Sequence, residues 1–165
     1  HLSLRRQRQM CIRDRQNPAP LNAWDLVFGA LFLALLVGET LADREQWEFH
    51  RRKKQAGGTL APGFATEGLF RYSRHPNFFF EQSQWWVLYA IGASAAVASG
   101  AGFLGGAINW TIIGPILLSV LFVGSTIFTE SITAGKYPAY ADYRRSTSMI
   151  IPWPPRARPV TEPAA

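Results

Sequence analysis

From Gln82 to Thr129 the chain carries no Asp, Glu, Lys or Arg. An uncharged run of this length is not the surface of a soluble domain. It can hold two membrane-spanning helices, each needing about 20 apolar residues. It is entered through Arg71-Tyr-Ser-Arg-His-Pro-Asn-Phe-Phe-Phe-Glu81. Arg74, His75, Asn77 and Glu81 therefore gather at the mouth of an apolar hairpin. Ionisable and amide groups at that depth are costly and by default mark a functional site.

Apolar residues make up 48% of the chain and fall in blocks rather than with period 2 or 3.6. The net charge of +6 comes from basic residues flanking those blocks. That is the distribution of a membrane protein, not of a nucleic-acid binder. Cys11 is the only cysteine, and His1, His50 and His75 lack ligand spacing. Neither a disulfide framework nor a protein metal site is expected.

Residues 1–20 stand apart as a non-native or disordered arm. Met10-Cys11-Ile12-Arg13-Asp14-Arg15 matches the translation of a common sequencing-library adapter, so residues 1 to about 16 read as an artefact. The alternative is a native basic arm. Without residues 1–20, which hold five Arg and one Asp, the charge falls to +2. On the artefact reading, the chain is an N-terminally truncated fragment of a larger helical bundle.

The expected fold is an all-α integral membrane protein with about three transmembrane helices and short cytoplasmic helices. Asn17-Pro-Ala-Pro20 breaks the chain before a first span, Trp24–Ala42, which continues as a polar helix through Lys54. Gly57-Gly58 ends it, and residues 55–70 form a loop. A second span starts near Asn77 to Phe80, with Asn77 as a candidate N-cap, and runs to about Ser99. A compact turn, 100–106, leads to a third span, Ile108–Phe128, with Pro115 inside it and Glu130 closing it. A short helix from Pro138 through Arg145 follows, and the domain ends at 155 before a disordered tail, 156–165. Seven Lys or Arg in 43–81 and five after Glu130, against none in 99–107, place residues 43–81 and the C-terminus in the cytoplasm, expected at a bacterial inner membrane.

Three polar clusters then share one membrane face. They are Glu39 and Asp43, spaced i,i+4; Arg71, Arg74, His75, Asn77 and Glu81; and Glu130, Lys136, Tyr137, Tyr140, Tyr143, Arg144 and Arg145. Cations for phosphate, carboxylates and an amide for a polar ring, and phenols for hydrogen bonds suit a phosphate-bearing nucleotide. No GxGxxG follows a strand, so a Rossmann mode is unsupported. The bland readings are headgroup anchors for the arginines, an aromatic belt for the tyrosines, an exposed helix end for Glu39 and Asp43, and a structural pairing of Glu81 with Arg74.

Gly68-Leu-Phe-Arg-Tyr-Ser-Arg-His-Pro-Asn-Phe-Phe-Phe-Glu81 resembles the signature of the C-terminal domain of the steroid 5-alpha-reductase superfamily, in its bacterial and fungal multi-spanning branch. Glu39-Thr-Leu-Ala-Asp43 with Gln46 and Phe49, Glu130 with Lys136-Tyr-Pro-Ala-Tyr140 and Tyr143-Arg-Arg145, and Ser146-Thr-Ser-Met-Ile-Ile-Pro152 resemble its further motifs, over about residues 22–155. The resemblance implies reduction of a carbon–carbon double bond in a lipid or steroid-like substrate with NADPH. The cofactor would be held by Arg74, Asn77 and Glu81 and by Tyr140, Tyr143 and Arg144, with His75, Glu39 and Asp43 beside them. Some relatives have Tyr where this chain has Phe78 and Gly where it has Phe80. No proton donor is identified. The alternative is a methyltransferase using S-adenosylmethionine, since the isoprenylcysteine carboxyl methyltransferases share a similar Arg-His-Pro motif; a non-catalytic membrane protein is a third reading.

Overall fold

The structure is a computed structural model that describes residues 21–58 and 60–156; the N-terminal arm and the tail beyond Arg156 lie outside it. Helix α1 (Ala23–Gln55) starts at a reciprocal cap. Asn22 Oδ1 accepts from the Trp24 and Asp25 amides, and the Asp25 carboxylate accepts from the Asn22 amide. The expected span and its polar extension are one unbroken helix of 33 residues, roughly 50 Å long. It ends in a turn with Gly57 and Gly58 at positive φ, where an L side chain is strained.

Helix α2 (Pro76–Ala96) has Pro at its first position, where the missing N–H costs nothing. His75, not Asn77, is the N-cap residue, and Asn77 lies inside the first turn. The turn expected at 100–106 is a π-helical turn (Val97–Ala101) with Gly100 at φ +94°, followed by short helix α3 (Gly102–Ala107). Helix α4 (Ile113–Lys136) starts later than expected and runs past Phe128, so Glu130 sits within the helix rather than closing it. Pro115 falls in its first turn, not mid-span, and so breaks no hydrogen bond of the helix interior. Helix α5 (Tyr140–Ser146) begins two residues after Pro138. Among the described residues there is no strand, only an isolated parallel bridge between Ser73 and Ser148.

α2 is the central helix, touching both α1 and α4. Its polar residues explain why. Gln84 Nε2 donates to Glu39 Oε2 on α1 at 2.5 Å, while Gln82 Nε2 and Trp86 Nε1 donate to Ser119 Oγ on α4 at 2.6 and 3.2 Å. Such bonds hold helices together where apolar burial gives no preference for helix over lipid. Gly38 and Ala42 are the small residues that let α1 approach. A Cβ on Gly38 would lie 2.5 Å from the Phe80 ring, so Phe80 fills the space that Gly38 leaves.

Two helical runs, Ala23–Gln55 and Gly102–Lys136, are long and apolar enough by themselves to cross a membrane; α2 is less apolar through its Glu81-Gln-Ser-Gln84 quartet, whose Gln82 and Gln84 it turns to Ser119 and Glu39 on its neighbours. Only 11% of the most apolar window of each run is buried. A soluble core helix would be mostly buried. On α4 the buried positions Pro115, Phe122, Thr126 and Glu130 form one stripe, while Leu117, Val120, Leu121, Ile127 and Phe128 face outward. This is the architecture of a helical membrane protein.

Candidate functional site: a cationic cavity beside a buried carboxylate

Residues 72–75 run alongside the chain after α5. The Arg74 and His75 amides donate to the Ser148 and Met149 carbonyls, Ser73 Oγ donates to Ile150 O, and the Trp153 amide donates to Tyr72 O. This pairing fixes the approach to α2 against the C-terminal segment and points Arg74 at α4. There Glu130, with its side chain 3% exposed, accepts from Arg74 Nε at 2.7 Å. His75 Nε2 lies 3.2 Å from the same carboxylate oxygen, and Arg144 Nε lies 3.4 Å from the other. The Arg74 guanidinium also donates to the carbonyls of Arg144 and Thr147, closing the end of α5. Arg74 is thus a structural clamp as well as a candidate ligand. Its partner is Glu130, not Glu81 as the structural pairing supposed.

Two tyrosines pack against this group. Tyr140 and Tyr143 are buried and contact each other and Phe64, and Tyr143 Oη donates to Phe70 O at 2.5 Å. Burial, then the nearby Glu130 carboxylate, pushes the Tyr140 hydroxyl well above the ordinary phenol range. Burial, then the Tyr140 hydroxyl, does the same for Tyr143. Both stay protonated donors at any physiological pH.

A cavity of about 410 Å³ opens beside these residues. α1 contributes Gln46, His50 and Lys53, α2 and its approach contribute Arg74, His75, Asn77 and Phe78, and α4 and α5 contribute Lys136, Tyr137, Tyr140 and Tyr143. Among the described residues no Asp or Glu lines it. Lys53 Nζ donates to Gly63 O and to Tyr137 Oη, both at 2.7 Å, which leaves one ammonium donor. That ammonium draws the Tyr137 hydroxyl below the ordinary phenol range. Gly63 sits at φ +95° under the Tyr137 ring, where a Cβ would overlap the ring carbons, so the chain at Gly63 closes on the cavity only with glycine there. Phe78 stacks on His75 and packs on Phe122, an apolar wall where a tyrosine would offer a hydroxyl.

Of the expected site residues, Arg74, His75, Asn77, Tyr140 and Tyr143 line this cavity and Glu39, Asp43, Glu81 and Arg144 do not. Arg144 turns its guanidinium to Glu130. Glu81 feels the charges of Glu39 and Asp43; Glu81 lies about one helical turn after cavity residue Asn77 on α2, and Asp43 and Glu39 lie about one and two turns before cavity residue Gln46 on α1. Among the described residues no group of three His, Cys, Asp or Glu side chains is placed to hold a metal ion. Gln46, His50 and Lys53 were not among the expected site residues. Their signal was present: Glu39, Asp43, Gln46, His50 and Lys53 follow i, i+4, i+7, i+11 and i+14 along one face of α1.

A family model described as a protein of unknown function (DUF1295) matches residues 8–147. The chain belongs to this family. The match begins inside the N-terminal segment set aside above, which lies outside the described residues. The chain is also 35% identical over 149 residues to an uncharacterised protein of Schizosaccharomyces pombe, covering 82% of this chain and 41% of that relative. It therefore spans about two fifths of that relative's length. No solved structure matches it.

Proposed function

We propose that this chain is the cofactor-binding part of a membrane-embedded reductase that uses NADPH on a carbon–carbon double bond of a lipid or steroid-like substrate. The resemblance of its motifs to the steroid 5-alpha-reductase superfamily suggests the reaction. The observation that carries the reading is the cavity lined by Lys53, Arg74, His75 and Lys136 with no carboxylate on its walls. Such a wall suits a phosphate-bearing ligand. It does not suit the sulfonium of S-adenosylmethionine, whose natural partners here, Glu39, Asp43 and Glu81, lie outside the lining.

On this reading Lys53 and Lys136 bind phosphate oxygens, and Arg74 adds charge while Glu130 holds it in place. Asn77 and Gln46 offer amides to a polar ring, and Tyr140 and Tyr143 are kept protonated by burial, with the Tyr143 proton held by the Phe70 carbonyl and its oxygen left to accept. Phe78 and Phe49 exclude water on the apolar side. The nicotinamide, when bound, supplies hydride to an activated alkene carbon. The substrate is taken from the bilayer, and the site is expected on the cytoplasmic face of a bacterial inner membrane.

The test is turnover by full-length protein in proteoliposomes, followed as loss of NADPH absorbance in the presence of a lipid enone. Lys53→Met should raise the KM for NADPH roughly tenfold or more, the worth of one charge-assisted hydrogen bond. Consumption of S-adenosylmethionine instead of NADPH, with methylated lipid as product, would reverse the choice of cofactor.

A further inference from the structure

On the far side of Phe64 lies a second cavity, of about 650 Å³. It shares Phe64 and Tyr143 with the first, so one aromatic partition separates the two. Its walls carry Arg71, Arg156, Thr66, Ser146 and Thr147. Its one carboxylate, Asp142, is exposed and lies 3.6 Å from Arg145.

The two arginines stand out by what they lack. Arg44, Arg52, Arg74, Arg144 and Arg145 each have a carboxylate within 4 Å. Among the described residues Arg51, Arg71 and Arg156 have none; Arg51 lies over the Trp47 ring, whereas Arg71 and Arg156 line the same cavity. Neither is on a loose strand of chain. Arg71 ends the 3-10 turn Gly68–Arg71, which is anchored by the Leu69 amide donating to Glu45 Oε2 at 2.8 Å. Arg156 is held by its own amide donating to Ser146 O at 2.9 Å, and the chain before it by the bond from Trp153 to Tyr72.

We propose that the Arg71–Arg156 cavity is a second anion subsite, taking the phosphate monoester of the nucleotide whose pyrophosphate lies in the first cavity. The inference rests on the reading above and names its specificity device. A phosphate monoester carries nearly two negative charges at neutral pH and three acceptor oxygens. Two guanidinium forks with the hydroxyls of Thr66 and Ser146 beside them match that group, whereas a ribose hydroxyl leaves both cations uncompensated. A nucleotide lying across the Phe64–Tyr143 partition places one charged group in each cavity. Arg71 and Arg156 thereby favour NADPH over NADH.

The experiment measures dissociation constants of NADPH and NADH for full-length protein in detergent at one fixed ionic strength, for wild type, Arg71→Gln, Arg156→Gln and Arg71→Lys. Wild type should prefer NADPH by roughly tenfold or more. Each Gln variant should remove most of that preference by weakening NADPH alone, with NADH held within about twofold, and Arg71→Lys should keep part of it. Both residues are exposed, so the variants should melt with wild type; should one misfold, the other carries the test. Equal weakening of both nucleotides, or of neither, overturns the subsite. So does wild-type binding of both with equal affinity, which leaves the reductase reading standing. Loss of binding to phosphatidic acid vesicles with an unchanged NADPH preference reassigns the pair to lipid headgroups. Wild-type protein that binds neither nucleotide overturns the subsite and the reading together.

Discussion

Neutralising Glu130 should unlock the site. In Glu130→Gln the shape is kept, but the Arg74 guanidinium, with its side chain 8% exposed, loses the only carboxylate within 4 Å among the described residues. Removing one partner of a buried pair costs about 3–5 kcal/mol. Arg74 retains the Arg144 and Thr147 carbonyls at 2.8 and 3.1 Å, which argues for the lower end, about 3 kcal/mol. For a chain of this size that is a fall of roughly 6–12 °C in Tm. Arg144→Gln is the contrast: its side chain is 52% exposed and 3.4 Å from Glu130, so about 1 kcal/mol or less is at stake, no more than about 4 °C. The double variant Glu130→Gln/Arg74→Met should recover part of the loss, because it leaves no buried charge alone. Melting curves of full-length protein in one detergent decide the matter. A Glu130→Gln protein that melts with wild type, or an Arg144→Gln protein that loses as much, refutes the clamp.

Other outcomes follow from the same packing. Gly38→Val should disrupt the α1–α2 pair, since its Cβ meets the Phe80 ring, while Gly29→Ala, with open space around it, should be silent in the same melts. Tyr140 and Tyr143 hold their protons above the pH at which an unfolded tyrosine ionises, near 10. The unfolded chain therefore binds fewer protons there, so their contribution to stability is intact below about pH 10 and is lost as pH rises beyond it. Tyrosinate absorbance should show these two titrating late or only on unfolding, and Tyr143→Phe should remove one late step. For topology, Gly102→Cys should react with an impermeant reagent on intact cells and Gly58→Cys only after permeabilisation; the reverse pattern inverts the orientation.

The helices were legible because their signals are local. The charge-free run, the Asn17-Pro-Ala-Pro20 breaker and the Gly57-Gly58 break each act within a few residues. So were most cavity residues on α2 and α5, because Arg74, Asn77, Tyr140 and Tyr143 lie at the ends of apolar segments where polar groups need a reason. The partner of Arg74 was not legible. Glu81 is seven residues away and Glu130 fifty-six, and which one meets the guanidinium depends on the pairing of 72–75 with 148–153, which has no sequence period. The end of α4 was misread for a related reason. Glu130 looks like a stop signal, but its charge is compensated from outside the helix, so the helix continues. Lys53 was hidden within a basic run whose ordinary meaning is a headgroup anchor, and only the polar stripe from Glu39 separates it from Arg52 and Lys54.

The central claim is that the cavity between α1, α2 and α4 holds a phosphate-bearing nucleotide. Equilibrium binding of NADPH against S-adenosylmethionine to full-length, detergent-purified protein tests it most directly, with Lys53→Met alongside. NADPH should bind, inorganic pyrophosphate should compete with it, and Lys53→Met should weaken it roughly tenfold or more. Binding of S-adenosylmethionine alone, or NADPH binding indifferent to both pyrophosphate and Lys53, would contradict the claim.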